Sequence, residues 1–142
     1  MYAWLLNPGS LSLAIQQQCR QFSVKVINQY IGQASAAEQD CLNIAENTSL
    51  IREVQLLADG EAWVEARTVI PNTTYKYYQT ELDLLDDQAL GPGFLCKHGF
   101  VRGAFEFAQM QPSIYTRRSI FFVNDFKMLV TEKFLPIHIF GF

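Results

Sequence analysis

The chain has 142 residues, 49% of them apolar and 13% aromatic, with 11 Lys and Arg against 14 Asp and Glu for a net charge of −3. A chain of this length and apolar content folds as one domain that buries roughly two thirds of its surface without a disulfide or metal staple, which excludes an intrinsically disordered protein. The basic residues are scattered, so the clustered positive face that a nucleic acid requires is missing and no nucleic-acid partner is expected.

Met1-Tyr2-Ala3-Trp4-Leu5-Leu6-Asn7-Pro8-Gly9 lacks a basic segment and breaks at Pro8-Gly9, so no signal peptide is expected there. Ser10 is placed as the N-cap of a helix over 11–20, with Leu11, Ile15 and Cys19 at helical spacing. Two-fold alternation then predicts a strand over 22–31, with Phe22, Val24 and Val26 on one face and Ser23 and Lys25 on the other. Residues 34–40 read as a polar connection. The runs 50–58 and 61–70, around Asp59-Gly60, form the strongest hairpin signal, and Pro71 ends the second strand by removing an amide donor. A helix is expected over 80–88, with Leu82 and Leu85 toward the core, then a turn at Gly91-Pro92-Gly93 and a second helix over 100–110. A last hairpin joins 117–123 and 127–135 through Asn124-Asp125 and closes at Pro136. The fold class is therefore α+β: a single antiparallel β-sheet with short helices on one face, in one domain over 1–142, with no repeat or linker.

The richest apolar runs, 120–123 and 128–130, are strand-sized and far below the roughly 18 residues that span a bilayer, so a soluble protein with no membrane insertion is expected. Cys19, Cys41 and Cys96 are odd in number and form no CxxC, which predicts reduced thiols in a cytoplasm. With His98 and His138 as the only histidines, a catalytic transition-metal site would have to lean on scattered carboxylates and is not expected. Cys96-Lys97-His98 reads as a loop, because a thiol and an imidazole so close along one chain are not set against each other as nucleophilic catalysis requires.

Strand parity singles out two charges. Arg52 shares its face with Val54 and Leu56, while Glu53 and Gln55 lie on the other side; Glu132 shares its face with Met128, Val130 and Phe134, while Thr131 and Lys133 point away. An unpaired buried charge costs several kcal/mol, so both must be paired or aimed into a polar cavity. One reading is a structural salt bridge, or edge charges that reach water. The other is a small anion site in which Arg52 clamps a carboxylate and Glu132 sits opposite as a hydrogen-bonding or acid-base group. Parity alone leaves both open.

At these residues the sequence resembles the chorismate pyruvate-lyase family. The resemblance rests on Ile51-Arg52-Glu53-Val54-Gln55-Leu56-Leu57-Ala58-Asp59-Gly60-Glu61-Ala62-Trp63, Ala66-Arg67-Thr68-Val69-Ile70-Pro71, Leu90-Gly91, Arg117-Arg118-Ser119 and Leu129-Val130-Thr131-Glu132-Lys133-Phe134-Leu135-Pro136, in the family's order and nearly its spacing. It implies a cofactor-free enzyme that makes 4-hydroxybenzoate and pyruvate from chorismate at the head of ubiquinone synthesis; a monomer is expected. It implies that Arg52 binds the ring carboxylate, that Glu132 faces the 4-hydroxyl, and that the main-chain amides of Leu11 and Leu90 contribute from two flaps over a buried ligand. The chain departs from the family pattern at Asn7-Pro8-Gly9 and at Pro92, and has leucine at position 11 where methionine is familiar. Arg67 and Arg118 are further candidates for the enolpyruvyl carboxylate, with ion pairs as their alternative.

The same fold recurs as the effector-sensing domain of bacterial transcription regulators, so a non-catalytic aromatic-acid-binding module is the alternative function. That version follows a winged-helix domain, which is not expected before Trp4, and the joint presence of Arg52 and Glu132 favours the lyase. A third option is a degenerate homologue in which Arg52 and Glu132 form only a structural pair.

Overall fold

A computed structural model describes residues 11–45, 48–112 and 114–136. The expected cap at Ser10 lies outside these residues. Helix α1 spans Leu11–Gln16 and buries Leu11, Ser12 and Ile15, stopping short of the expected residue 20. Strand β1, Phe22–Gly32, follows as the alternation requires.

Residues 34–40, expected to be a polar connection, instead enter helix α2, Ala36–Leu42. The cause is a capping box. The Ser35 hydroxyl accepts from the Glu38 amide at 3.1 Å, and the Glu38 carboxylate accepts from the Ser35 amide at 2.9 Å, which satisfies donors that a helix start leaves open. Asn43, in the left-handed region at φ 52°, closes the other end.

Strands β2, Ser49–Ala58, and β3, Glu61–Pro71, make the expected hairpin. Asp59 and Gly60 both take positive φ, 50° and 83°, as a tight two-residue turn demands. The Asp59 carboxylate has a second task. It accepts from the amides of Arg20 and Gln21 at 3.0 and 2.8 Å, tying the entry of β1 to the hairpin tip.

The helix expected over 80–88 lies earlier in the chain and is split into α3, Asn72–Tyr77, and α4, Gln79–Asp83. Leu82 and Leu85 are buried as expected. The turn expected at Gly91-Pro92-Gly93 is wound into a five-residue π turn, Gly91–Leu95, which buries Phe94 and Leu95.

The second expected helix, over 100–110, is not formed. Those residues are two strands, β4 (Val101–Arg102) and β5 (Glu106–Gln111), both paired with β6 (Ile114–Val123). Phe100, Val101, Phe105 and Phe107 are strand formers, and an available sheet edge outweighs a weak helical spacing. Strand β7, Phe126–Phe134, completes the last hairpin through Asn124 at φ 52°.

All pairings are antiparallel, and the sheet order is β1-β2-β3-β7-β6-β4, with β5 also on β6. On one face Leu50, Ile70, Met128 and Val130 pack under Leu82, Phe94, Leu95 and Phe100, while Leu56, Val64 and Phe134 pack under Leu11 and Ile15 of α1. The other face carries α2, whose Leu42 meets Val69 and Leu129. Between the two clusters on the first face the sheet carries polar side chains. No helix among the described residues is long and apolar enough to cross a membrane.

Candidate active site

The polar side chains on that face come from ladder register. Arg52 stands opposite Thr68, and Thr68 opposite Val130; one pleat along, Val54 stands opposite Ala66, Ala66 opposite Glu132 and Glu132 opposite Arg117. Arg52 and Glu132 are thus two strands and two residues apart on one face, roughly 12 Å between Cα atoms from ordinary sheet spacings. Both are buried, at 4% and 7% exposure, as is Arg117 at 0%.

Above them is a cavity of about 330 Å³. Its walls are mainly apolar, from Val54, Leu56, Ala66, Leu95, Phe100 and Phe121, and it is lined as well by Arg52, Glu132, Leu11 and Leu90. All four residues singled out from the sequence therefore meet at one partly open cavity of ligand size. Thr68, Ser12 and Arg102 also line it.

Arg52 is held from both sides. Its Nη1 donates to Gln29 Oε1 at 3.0 Å, from the directly opposite position on β1, and its Nη2 donates to the Gln88 carbonyl at 2.8 Å. Burial lowers its pKa, and the carboxylates of Asp86 and Asp87 act against that fall. A guanidinium stays charged at neutral pH nonetheless, so the cavity keeps a fixed, oriented cation at this end.

Glu132 is held by a different arginine from the one expected for a structural pair. Arg117 Nε donates to Glu132 Oε1 at 2.7 Å, and Arg102 Nη1 approaches the same oxygen at 3.9 Å. Both guanidiniums stack on aromatic rings: Arg117 on Phe105 at 4.4 Å and Phe134 at 5.4 Å, Arg102 on Phe105 at 4.8 Å and Phe121 at 4.6 Å. Burial lowers the pKa of Arg102; Glu132 opposes the shift and Arg117 adds to it.

Sequence reading missed these two arginines. Arg117 has the same parity as Ser119 and Phe121, a signal the Arg-Arg doublet hid. Arg102 falls in the stretch 100–110 whose spacing predicts a helix, where strand parity gives no facing.

Arg67 and Arg118, the other candidates, lie away from the cavity on the opposite sheet face. Arg67 pairs with Glu38 at 2.8 Å and Glu53 at 3.2 Å, and Arg118 with Glu106 at 3.2 Å. His98 turns to Glu81 at 2.9 Å. Cys19, Cys41 and Cys96 are free thiols. Among the described residues no group of three or more His, Cys, Asp or Glu side chains is arranged to hold a metal ion.

Comparison with known proteins adds a family, two relatives and two solved structures. The family model described as chorismate lyase matches residues 1–141. A relative in Photobacterium profundum named "Probable chorismate pyruvate-lyase" is 36% identical over 137 residues, covering 93% of this chain and 76% of the relative. One in Salmonella newport named "Chorismate pyruvate-lyase" is 31% identical over 134 residues, covering 94% and 81%. Among solved structures, the effector domain of PhnF from Mycobacterium smegmatis superposes with a TM-score of 0.67 at 13% identity, over 91% of this chain and 90% of that one. A GntR-family transcriptional regulator from Bacillus cereus does so with a TM-score of 0.58 at 12% identity, over 87% and 96%. Those two show a shared fold.

Proposed function

Because the chain belongs to the chorismate lyase family, we propose that it converts chorismate to 4-hydroxybenzoate and pyruvate, with Arg52 on the ring carboxylate and Glu132 on the 4-hydroxyl. The observation that carries this reading is that Arg52 and Glu132 line one mainly apolar cavity from diagonal positions on the same sheet face. A para-substituted ring acid has its two polar ends on opposite sides of an apolar disc, and the cavity offers that pattern.

The chemistry asks little of the protein beyond placement. The bond from ring carbon 3 to the ether oxygen breaks, its electron pair leaving with the enolpyruvyl oxygen. The C4–H electrons become the ring double bond, and a proton ends on the methylene carbon to give pyruvate. Aromatisation supplies the driving force, so what the site contributes is a held reactive conformer and exclusion of water. Arg52 binds as a forked donor, the amides of Leu11 and Leu90 complete the grip on the carboxylate from two flaps, and Glu132 accepts from the hydroxyl and fixes that end of the ring. The protein works as a cytoplasmic monomer at the head of ubiquinone synthesis.

The test is to mix purified protein with chorismate in buffer containing EDTA and to follow 4-hydroxybenzoate and pyruvate together. Equimolar release above the spontaneous rate, lost in Glu132→Ala, supports the lyase. The likeness to effector domains favours one other reading, a non-catalytic aromatic-acid binder. No turnover, with a thermal upshift on adding 4-hydroxybenzoate, supports that one instead.

A further inference from the structure

Chorismate carries two carboxylates, and the reading above uses a cation for only one of them. The cavity is lined by two cations, Arg52 and Arg102. Arg102 stands in β4 opposite Phe121, facing the cavity, while its neighbour Val101 is exposed on the other side. Its guanidinium lies over the rings of Phe105 and Phe121, so its plane is fixed before any ligand arrives.

What it lacks is a hydrogen bond. Its closest carboxylate oxygen, Glu132 Oε1, is 3.9 Å from Nη1, beyond hydrogen-bond range, and Nη1 is buried with no hydrogen-bond partner among the described residues. That oxygen is already engaged by Arg117 Nε at 2.7 Å. Two guanidiniums therefore approach one carboxylate oxygen, and among the described residues Arg102 Nη1 is the donor left without a hydrogen bond. A buried charged donor left unmade is costly, and a ligand anion is what would complete it.

The substrate places its second anion there. The enolpyruvyl ether is on ring carbon 3, next to the carbon whose hydroxyl meets Glu132 and one carbon removed from the carbon whose carboxylate meets Arg52. We propose that Arg102 binds the enolpyruvyl carboxylate of chorismate, while Arg117 holds Glu132. The assignment rests on the lyase reading and deepens it. Arg67 and Arg118, the cations first considered for this task, are engaged by Glu38, Glu53 and Glu106 on the other face. Pyruvate takes that carboxylate away with it, so the aromatic product has no anion for Arg102. Recognition by this residue thus selects substrate over product.

The test compares wild type with Arg102→Met, which keeps a long side chain between the two rings, and uses three probes: chorismate, 4-hydroxybenzoate, and a stable pair of ring acids bearing at carbon 3 either a carboxymethoxy group or its neutral amide. The expected result is a fall of roughly 30-fold or more in kcat/KM for chorismate, with 4-hydroxybenzoate affinity changed less than about threefold. Wild type should bind the carboxymethoxy acid at least about tenfold more tightly than the amide, and that preference should disappear in Arg102→Met. Retained 4-hydroxybenzoate binding shows that the variant is folded. If it does not fold, the acid-against-amide preference in wild type and in Arg102→Lys, where a point charge replaces the fork, decides the matter. Equal loss for chorismate and 4-hydroxybenzoate, or no preference for the acid in wild type, overturns the assignment. Wild type that does not turn over chorismate but prefers the acid overturns the lyase reading alone.

Discussion

Arg117 Nε donates to Glu132 Oε1 at 2.7 Å from the position directly across the β6–β7 ladder, and both side chains are buried. A pair of this kind adds little net stability over an apolar substitute, but breaking it from one side strands a charge. Arg117→Ala is expected to destabilise the fold by ~3–5 kcal/mol in urea unfolding. It should also lower turnover among the molecules that remain folded, because Glu132 loses the donor that orients it. A variant that unfolds at the wild-type urea concentration would show that Arg117 is replaceable by water.

Arg52 and Glu132 are expected to fail differently. The proposed function sets Arg52 against a carboxylate present in both substrate and product, so on that reading Arg52→Ala should weaken 4-hydroxybenzoate binding roughly 30-fold or more, read by calorimetry. Glu132→Gln keeps the shape and one acceptor but loses the carboxylate that the proposed function sets at the hydroxyl end of the ring. Its kcat should fall about 100-fold or more, with a smaller change in product affinity. The same ratio of kcat loss to binding loss in both variants would remove the distinction between the two roles.

The parts of this site that were legible in the sequence are those set by two-residue periodicity. Arg52 and Glu132 interrupt otherwise apolar strand faces, and a polar residue at an apolar phase can be seen without knowing which strands pair. Asp59-Gly60 was legible for a similar reason, since few residue pairs accept two positive φ values. Helix α2 was equally available, because Ser35 and Glu38 have the spacing of a capping box, but the polar surroundings hid it. Arg102 was out of reach. Its facing depends on β4 being a strand, and two residues of strand exist only because β6 offers them an edge. Which carboxylate Arg117 meets depends likewise on a register that no local pattern carries.

Leu11 of α1, 3% exposed, and Leu90 before the π turn line the cavity from outside the sheet, and the proposed function makes them its flaps. A product held beneath such cover must wait for it to open. Rapid-quench kinetics should therefore show a burst approaching one equivalent of 4-hydroxybenzoate, followed by a slower steady rate, with product inhibition at low concentration. Linear product formation from the first turnover would mean that chemistry, and not opening, limits the enzyme.

On the opposite face, Glu38 supplies a pH dependence that should leave the chemistry alone. Burial by itself would raise the pKa of its carboxyl, but hydrogen bonds from Arg67 and Ser35 outweigh that and hold it below its ordinary value of 4.5. A group lowered in the folded state contributes stability that is present above its unfolded value and lost as pH falls through its folded value. The contribution is on the order of 1 kcal/mol once the part-exposed Arg67 is discounted for solvent screening. Glu38→Gln should therefore melt about 3 °C below wild type at pH 7, and the two melting curves should converge as the pH falls below the ordinary value of about 4.5. Turnover of chorismate at pH 7 should be nearly unchanged, because Glu38 and Arg67 lie across the sheet from the cavity. A melting difference that persists unchanged at acid pH, where Glu38 is protonated in folded and unfolded chains alike, would place the stabilisation outside the ion pair with Arg67.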